Sequence, residues 1–371
     1  MPFTDPSPDE IELRTQVRRF LDDERLREPE LFSSRGYDPQ FSQRLGARGW
    51  VCISIPAEYG GGGRDPVEQF IVAEELRAAN APTGAHHVAA RQTAPMLLRF
   101  GSESQKRTFL PGIAAGSIGF ALGLSETEAG SDLSALRTRA EPVSGGFLLS
   151  GTKIWTSWGH LVPFAVVLCR TSAETDRHHG LTQLIVDLGS PGVKRNPIKT
   201  LDGQAHFCEM VFENVFVPQE SVLGEVGNGW KQIGTELAYE RSGPDRWLST
   251  FRVYEALVNA AGSSLHPGAS VLGRCAAWYR TLHELSYGIA RSASAGLNVA
   301  VQAAIVKDLG TQFEQQVVEL ARNVLGAVED PSAEARLRKE IGQMALVAPG
   351  YTIRGGTNEI LRTIISRSML R

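Results

Sequence analysis

Apolar and polar positions follow three different rhythms along this chain. Leu13, Val17, Phe20 and Leu21 recur at three- and four-residue steps, the spacing of one helix face. Ser7-Pro8-Asp9-Glu10 stands just before them and reads as a helix start, with Ser as N-cap, Pro in the first turn and Glu closing a capping box. Trp50–Gly63 breaks that rhythm with Pro56 and the run Gly60 to Gly63. Helical patterning returns from Pro66 to about Phe100 and again over Glu103–Ala114. The first third is therefore expected to be mostly helical.

Near Gly116 the rhythm shortens. Phe147–Leu149, Phe164–Cys169, Leu181–Val186 and Phe207–Phe212 are short and rich in β-branched or aromatic residues. Turn clusters such as Ser144-Gly145-Gly146 and Ser190-Pro191-Gly192 bound them, so the middle third reads as a small antiparallel β-domain. Helical spacing resumes after Gly229. Val306, Leu309, Phe313, Val317, Leu320 and Val324 mark one long helix, ordinary bundle core by pattern. Arg291–Gly296 reads as a helix–helix connection. The expected fold class is α+β: an N-terminal helical domain over 1–116, a middle antiparallel β-domain over 117–225, and a C-terminal four-helix bundle over 226–371.

Composition narrows the function classes. A chain of 371 residues exceeds one typical core, which agrees with several domains. The formal net charge of −3 and the absence of a basic stripe argue against nucleic acid as a partner. The N-terminal MPFTDPSPDE lacks signal or transit character, and no apolar run has the length of a membrane span. Cys52, Cys169, Cys208 and Cys275 are scattered without metal-ligand spacing. They read as reduced core thiols, so a cytoplasmic location is expected. The adjacent pairs His86-His87 and His178-His179 have no helical i, i+4 partner and are expected to pack or sit at the surface. No metal is expected.

Two segments carry candidate chemistry. Ser125–Asp132 (SETEAGSD) is a Gly/Ser turn beside carboxylates. Its consecutive N–H groups could take an anion, or it is a surface turn in which Asp132 caps the next segment. Lys153–Ser157 (KIWTS) places Trp155 beside two hydroxyls where a strand runs into a loop. Such a plate with hydrogen-bonding groups suits a flat cofactor, and the plainer alternative is a strand-end Trp packed on the core. Gly60–Gly63 and Gly224–Gly229 read as turns, because neither has the GxGxxG spacing of a dinucleotide site.

The ordered set PAEYGG (56–61), SETEAGSD, GTKIWTS (151–157), FCEMVFENVFVP (207–218) and RGGTNEI (354–360) resembles the acyl-CoA dehydrogenases over nearly the whole chain. The resemblance implies a flavoprotein with FAD held between the β-domain and the bundle. It implies α,β-dehydrogenation of an acyl-CoA thioester, with a carboxylate taking the α-proton and the β-hydrogen leaving as hydride to flavin N5. It sets Ser125 and Glu126 beside the flavin, and Gly130 and Ser131 at the cofactor and the CoA ligand. Trp155 would cover the flavin, Thr156 would be a further cofactor-binding residue, and Ser157 would stand near N5. Thr357 and Glu359 would meet the phosphate and adenosine end of FAD.

The base is where this chain departs from the commonest family pattern. Many members carry Glu just before the Gly-Thr of the last motif; here the position is Gly355, preceded by Arg354, which cannot act as a base. A pseudo-enzyme is one explanation. The other is Glu240, followed by Arg241: isovaleryl-CoA and long-chain acyl-CoA dehydrogenases place their base on this first bundle helix, immediately before an Arg. Adjacent helical residues do not face each other, which disfavours a simple Glu240–Arg241 pair. Gly355 would still offer its N–H to the thioester oxygen, and Arg241 and Arg354 are candidate substrate contacts. The Arg-x-Gln-Phe-Gly stretch of homotetrameric relatives is missing at Ala261–Gly268. The resemblance to bacterial members acting on steroid-derived CoA thioesters therefore leaves homo- and hetero-oligomers open, with a dimer of dimers expected. An electron-transfer flavoprotein is the implied redox partner. A non-catalytic or FAD-sharing subunit, and a flavoprotein oxidase on the same fold, are the alternatives.

Overall fold

The computed structural model describes residues 5–24, 36–172, 176–261 and 268–370, and the backbone alone over 235–240. In chain order the helices are α1 (Pro8–Asp23), α2 (Pro39–Ala47), α3 (Pro66–Ala78), α4 (Ala94–Phe100) and α5 (Glu103–Ala114), then, after the strands, α6 (Gly229–Glu240), α7 (Phe251–Ala261), α8 (Ala269–Ser294), α9 (Ala300–Val324), α10 (Pro331–Val347) and α11 (Asn358–Met369). The strands are β1 (Phe120–Gly123), β2 (Arg139–Val143), β3 (Gly146–Ser157), β4 (Phe164–Arg170), β5 (Leu181–Asp187), β6 (Val193–Ile198), β7 (Phe207–Pro218) and β8 (Val222–Leu223).

The chain forms two compact units. One comprises Met1–Ser34, Asp65–Ala81 and Ala238–Arg371; the other comprises Arg35–Arg64 and Pro82–Leu237. In the first, α7, α8, α9 and α10 pack on one another, and α1 and α3 join them through α8. The capping box at Ser7 and Glu10 forms as expected, and Leu13, Val17, Phe20 and Leu21 are the buried face of α1. In α9, Val306, Phe313, Val317 and Val324 are buried, while Leu309 and Leu320 are only partly so. Glu74 and Glu75 of α3 are buried and tied to Arg14 of α1; Glu74 also bonds His283 of α8 at 2.6 Å. A buried carboxylate with such partners stays ionised, and burial of Glu74 is outweighed by His283 and Arg14, so its pKa is lowered.

In the second unit the strands form one sheet in the order β6-β7-β3-β2-β4-β5-β8, with β1 paired to β4. The pairing is antiparallel except at β1–β4 and the single β2–β4 contact, which are parallel. The antiparallel domain expected from the sequence is present; parallel pairing enters only at these two contacts, where β1 follows a helical segment and lies alongside β4 without a hairpin. Cys52, Cys169, Cys208 and Cys275 are all free and buried. Burial pushes the Cys169 thiol up to about 12. His86 is buried against Ser42, its Nδ1 2.7 Å from the hydroxyl, and burial lowers its pKa to about 3; it packs in the neutral form.

Two boundaries differ from the sequence reading. Arg291–Ser294 is not a connection but the last turn of α8, with Gly296 (φ 74°) turning the chain just beyond. The helical stretch expected from Pro66 to Phe100 breaks after α3, where Asn80 has φ 55° and Pro82 comes two residues later; neither conformation continues a helix. Among the described residues no helix is long and apolar enough to cross a membrane, and no cluster of His, Cys, Asp and Glu could hold a metal ion.

Candidate active site

In the sheet unit, SETEAGSD and KIWTS are bound to each other. Ile154 N donates to Ser125 O at 2.9 Å. Lys153, fully buried, donates from Nζ to Glu126 Oε1 at 2.8 Å and to Leu124 O at 2.9 Å. Glu126 also accepts from Arg137 N at 2.7 Å and Thr138 N at 2.8 Å. Its carboxylate is thus held by three protein donors and closes the SETEAGSD turn. Burial would raise its pKa, but Lys153 and these bonds dominate and lower it; burial draws the Lys153 pKa down against the opposing charge of Glu126.

Within that turn Glu126 and Ala129 exchange backbone hydrogen bonds at 3.0 and 3.1 Å. Gly130 and Ser131 beyond it are exposed, and open space surrounds the place where a Cβ on Gly130 would stand. Asp132 does not cap the short helical turn it precedes. Its carboxylate accepts from Ser134 Oγ at 2.7 Å and from Arg177 at 3.0 Å, and these bonds hold its pKa down.

KIWTS lies at the end of a strand, as expected, with the strand continuing through it rather than opening into a loop. It is the end of β3, and the register with β7 shifts between Lys153 and Thr156. This bulge places Trp155 at φ 59°, an uncommon conformation for an aromatic residue. Trp155 remains 54% exposed, with Phe207 edge-on at 5.7 Å. Thr156 on the opposite face is buried, and its hydroxyl has no hydrogen-bond partner among the described residues. Ser157 is half-buried.

The bundle unit gathers the second group of residues. Glu240 is the last residue of α6; its side chain lies outside the described residues. Arg241 comes next, only 6% exposed, and its Nε donates to Gly355 O at 3.3 Å. Gly355 and Gly356 have φ of 68° and 89°, two successive left-handed residues that glycine adopts at little cost. Arg354 is engaged by the bundle: one guanidinium nitrogen meets Asp245 O at 2.6 Å, Ser249 Oγ at 2.8 Å and Glu314 Oε2 at 2.9 Å. Thr357 is the N-cap of α11, accepting from Ile360 N at 3.4 Å. Glu359 in the first turn is exposed, and its own N–H and Thr357 hold its carboxyl below the usual range. Of the Ala261–Gly268 segment, residues 262–267 lie outside the described residues.

Sequence reasoning passed over four residues that build this turn: Lys307, Thr311 and Glu314 of α9, and Asn358. All three α9 residues are fully buried. Glu314 also accepts from Ser249 N at 2.7 Å. Their i, i+4, i+7 spacing puts them on one helix face. A polar line beside the apolar one in a bundle helix is the signal that would have found them.

The comparisons with known proteins cover the whole molecule. Family models match residues 7–117 as the acyl-CoA dehydrogenase N-terminal domain, 121–215 as the middle domain and 227–370 as the C-terminal domain. The chain is 32% identical to acyl-CoA dehydrogenase FadE29 of Mycobacterium tuberculosis, over 100% of this chain and 98% of that protein. Its fold is similar to the structure titled Tcur3481-Tcur3483 steroid ACAD, with a TM-score of 0.88, 28% identity, and coverage of 100% and 99% of the two chains. It is likewise similar to the ChsE4-ChsE5 complex from Mycobacterium tuberculosis, with a TM-score of 0.83, 28% identity, and coverage of 99% and 98%. This chain belongs to the acyl-CoA dehydrogenase family and is an oxidoreductase acting on acyl-CoA.

Proposed function

We propose that this chain carries out FAD-dependent α,β-dehydrogenation of an acyl-CoA thioester with Glu240 as the base. One observation carries the reading: the residue next to Glu240, Arg241, is buried and bonded to Gly355 O at 3.3 Å. The end of α6 and the terminal turn are thereby tied together, although the terminal turn itself holds no carboxylate before Thr357. Dehydrogenation requires a base, and the end of α6 is the tied position that offers one.

The residues of the sheet unit fit a flavin. Thr156 presents a buried hydroxyl without a protein partner among the described residues, Trp155 is held half-exposed by the bulge, and Gly130 leaves room for close backbone approach. A buried polar atom left alone is costly, so a ligand that bonds it explains its retention. When bound, FAD supplies the acceptor for the hydride that leaves the β-carbon. Ser125, Gly130, Ser131, Trp155, Thr156 and Ser157 are the residues we assign to holding it, with Thr357 and Glu359 toward its phosphate and adenosine end. Glu126 acts through Lys153, closing the turn rather than offering a free carboxylate.

Glu240 removes the α-proton, and the Gly355 N–H polarises the thioester oxygen, which makes that proton more acidic. Substituting Glu240→Gln is expected to slow anaerobic flavin reduction by an acyl-CoA roughly a hundred- to ten-thousandfold, with flavin content unchanged. Reduction at the wild-type rate would remove Glu240 from the mechanism.

A second reading is favoured by both structural neighbours, whose titles pair two named chains: this chain shares its FAD site with a different subunit. Made alone, it would then bind little flavin and would recover it on mixing with that subunit. The steroid ACAD neighbour supports CoA thioesters of steroid side chains or ring fragments as the first substrates to test, with an electron-transfer flavoprotein as the electron acceptor.

A further inference from the structure

The terminal turn has no side chain of its own at Gly355 and Gly356, so something else must hold its two left-handed residues in place. We infer that the buried polar stripe of α9, Lys307–Thr311–Glu314, positions this turn, and that Lys307 sets where the Gly355 N–H stands. The inference rests on the reading that this N–H meets the thioester oxygen.

The geometry around Lys307 is that of a three-point clamp. Nζ donates to Thr352 O at 3.1 Å, Gly356 O at 2.8 Å and Asn358 Oδ1 at 2.7 Å. An ammonium has three donors, and here each has one acceptor. Those acceptors flank Gly355 on both sides. Thr311 Oγ1 lies 3.2 Å from the same Asn358 oxygen, and Glu314 anchors the Arg354 side chain. Arg241 holds the Gly355 carbonyl. The peptides around Gly355 are thus fixed from α9 and from the end of α6.

Stability alone gives a poor account of this lysine. Nζ finds only neutral acceptors, while Arg246, Arg354 and Arg241 face it with like charge; Asp308 is the opposing carboxylate close by, and Glu359 also interacts with it. Burial first, then Arg246 and Arg354, draw its pKa down to about 7. A group kept charged against that environment costs folding free energy, and such costs concentrate where a site needs a group held in place.

The test compares two ligands that differ by one non-hydrogen atom: an acyl-CoA that reduces the wild-type flavin, and the S-alkyl-CoA thioether of the same chain, with CH2 in place of the carbonyl. Binding is measured calorimetrically under anaerobic conditions in the Glu240→Gln background, in which flavin reduction is strongly slowed. Adding Lys307→Met is expected to weaken the thioester about tenfold, the loss of one good hydrogen bond, and to leave the thioether unchanged. Lys307→Arg should restore part of the difference. If Lys307→Met does not fold, Glu314→Gln, which loosens Arg354, should produce the same selective loss. Equal weakening of both ligands would make the stripe purely structural, and no change in either would overturn the inference. Failure of the parent reading has a different signature: wild type itself would bind thioester and thioether alike.

Discussion

Two buried lysines staple two glycine-bearing turns in this protein, and they do so with opposite electrostatics. Lys153 closes the Ser125–Asp132 turn through a carboxylate, Glu126, at 2.8 Å. Lys307 closes the Arg354–Thr357 turn through two carbonyls and an amide oxygen. In the first pair each charge offsets part of the other's desolvation. In the second the ammonium is matched in number of hydrogen bonds but not in charge. The first staple is therefore bound to the stability of the sheet unit. The second is free to be a tuned feature of the turn it holds.

Removing one partner from each staple should separate these roles. The largest expected effect is from Lys153→Met, which leaves Glu126 ionised, half-buried and without its cation. Breaking a fully buried pair costs about 3–5 kcal/mol; Glu126 is only half-buried and keeps the Arg137 and Thr138 N–H bonds, so a loss of about 2–3 kcal/mol is expected, read as a fall in the midpoint of denaturant unfolding. Lys307→Met should cost less stability, because neutral acceptors are left behind, yet it should lower kcat more. A loss of roughly a hundredfold is expected if the turn moves by an ångström. Equal stability losses in the two variants would erase the distinction.

Titration sharpens the same contrast. The Lys307 pKa is about 7 in the folded protein against an ordinary lysine value of 10.5. Between these values the unfolded chain binds the extra proton, so this group makes stability rise with pH across that window. The same deprotonation removes one of the three donors of the clamp, so kcat is expected to fall as pH rises through about 7. Lys307→Arg should abolish both slopes. Glu126 has the opposite charge type: its lowered pKa adds stability at neutral pH that is lost on acidification below the ordinary carboxylate range. A pH profile of unfolding identical in wild type and Lys307→Arg would sink the assignment of the upper window.

The smallest expected effect is at Thr156. Its buried hydroxyl has no protein partner among the described residues, so Thr156→Val should leave the flavin-free protein as stable or slightly more so. FAD affinity should fall by about tenfold, the worth of one hydrogen bond, as followed by flavin fluorescence on dilution. Unchanged retention of FAD would remove Thr156 from the cofactor site.

Local signals in the chain were enough for the elements that position these turns. Ser7 and Glu10 announced the capping box of α1, and the three- and four-residue steps of Val306 to Val324 announced α9. The β3 strand was legible, but its bulge was not. Lys153-Ile154-Trp155-Thr156 looks like the end of a strand, and the register shift that turns Trp155 to φ 59° depends on how β7 pairs alongside. The parallel pairing of β1 with β4 was hidden for the same reason. Arg291–Ser294 looked like a connection because Ser and Ala carry no strong helix-face pattern, whereas burial of the preceding α8 turns extends the helix through them.

The amino-acid sequence by itself determined the family and the order of helical and β segments, and it supplied the motif residues proposed for the site, because each is written in neighbours a few positions apart. Only the tertiary structure decided which groups hold those motifs still. Lys307 lies 49 residues from Gly356, and Arg241 lies 114 from Gly355. A lysine in a helix reads as a solvated residue until its environment is known, since burial and the pairing of its three donors are properties of elements brought together from far apart.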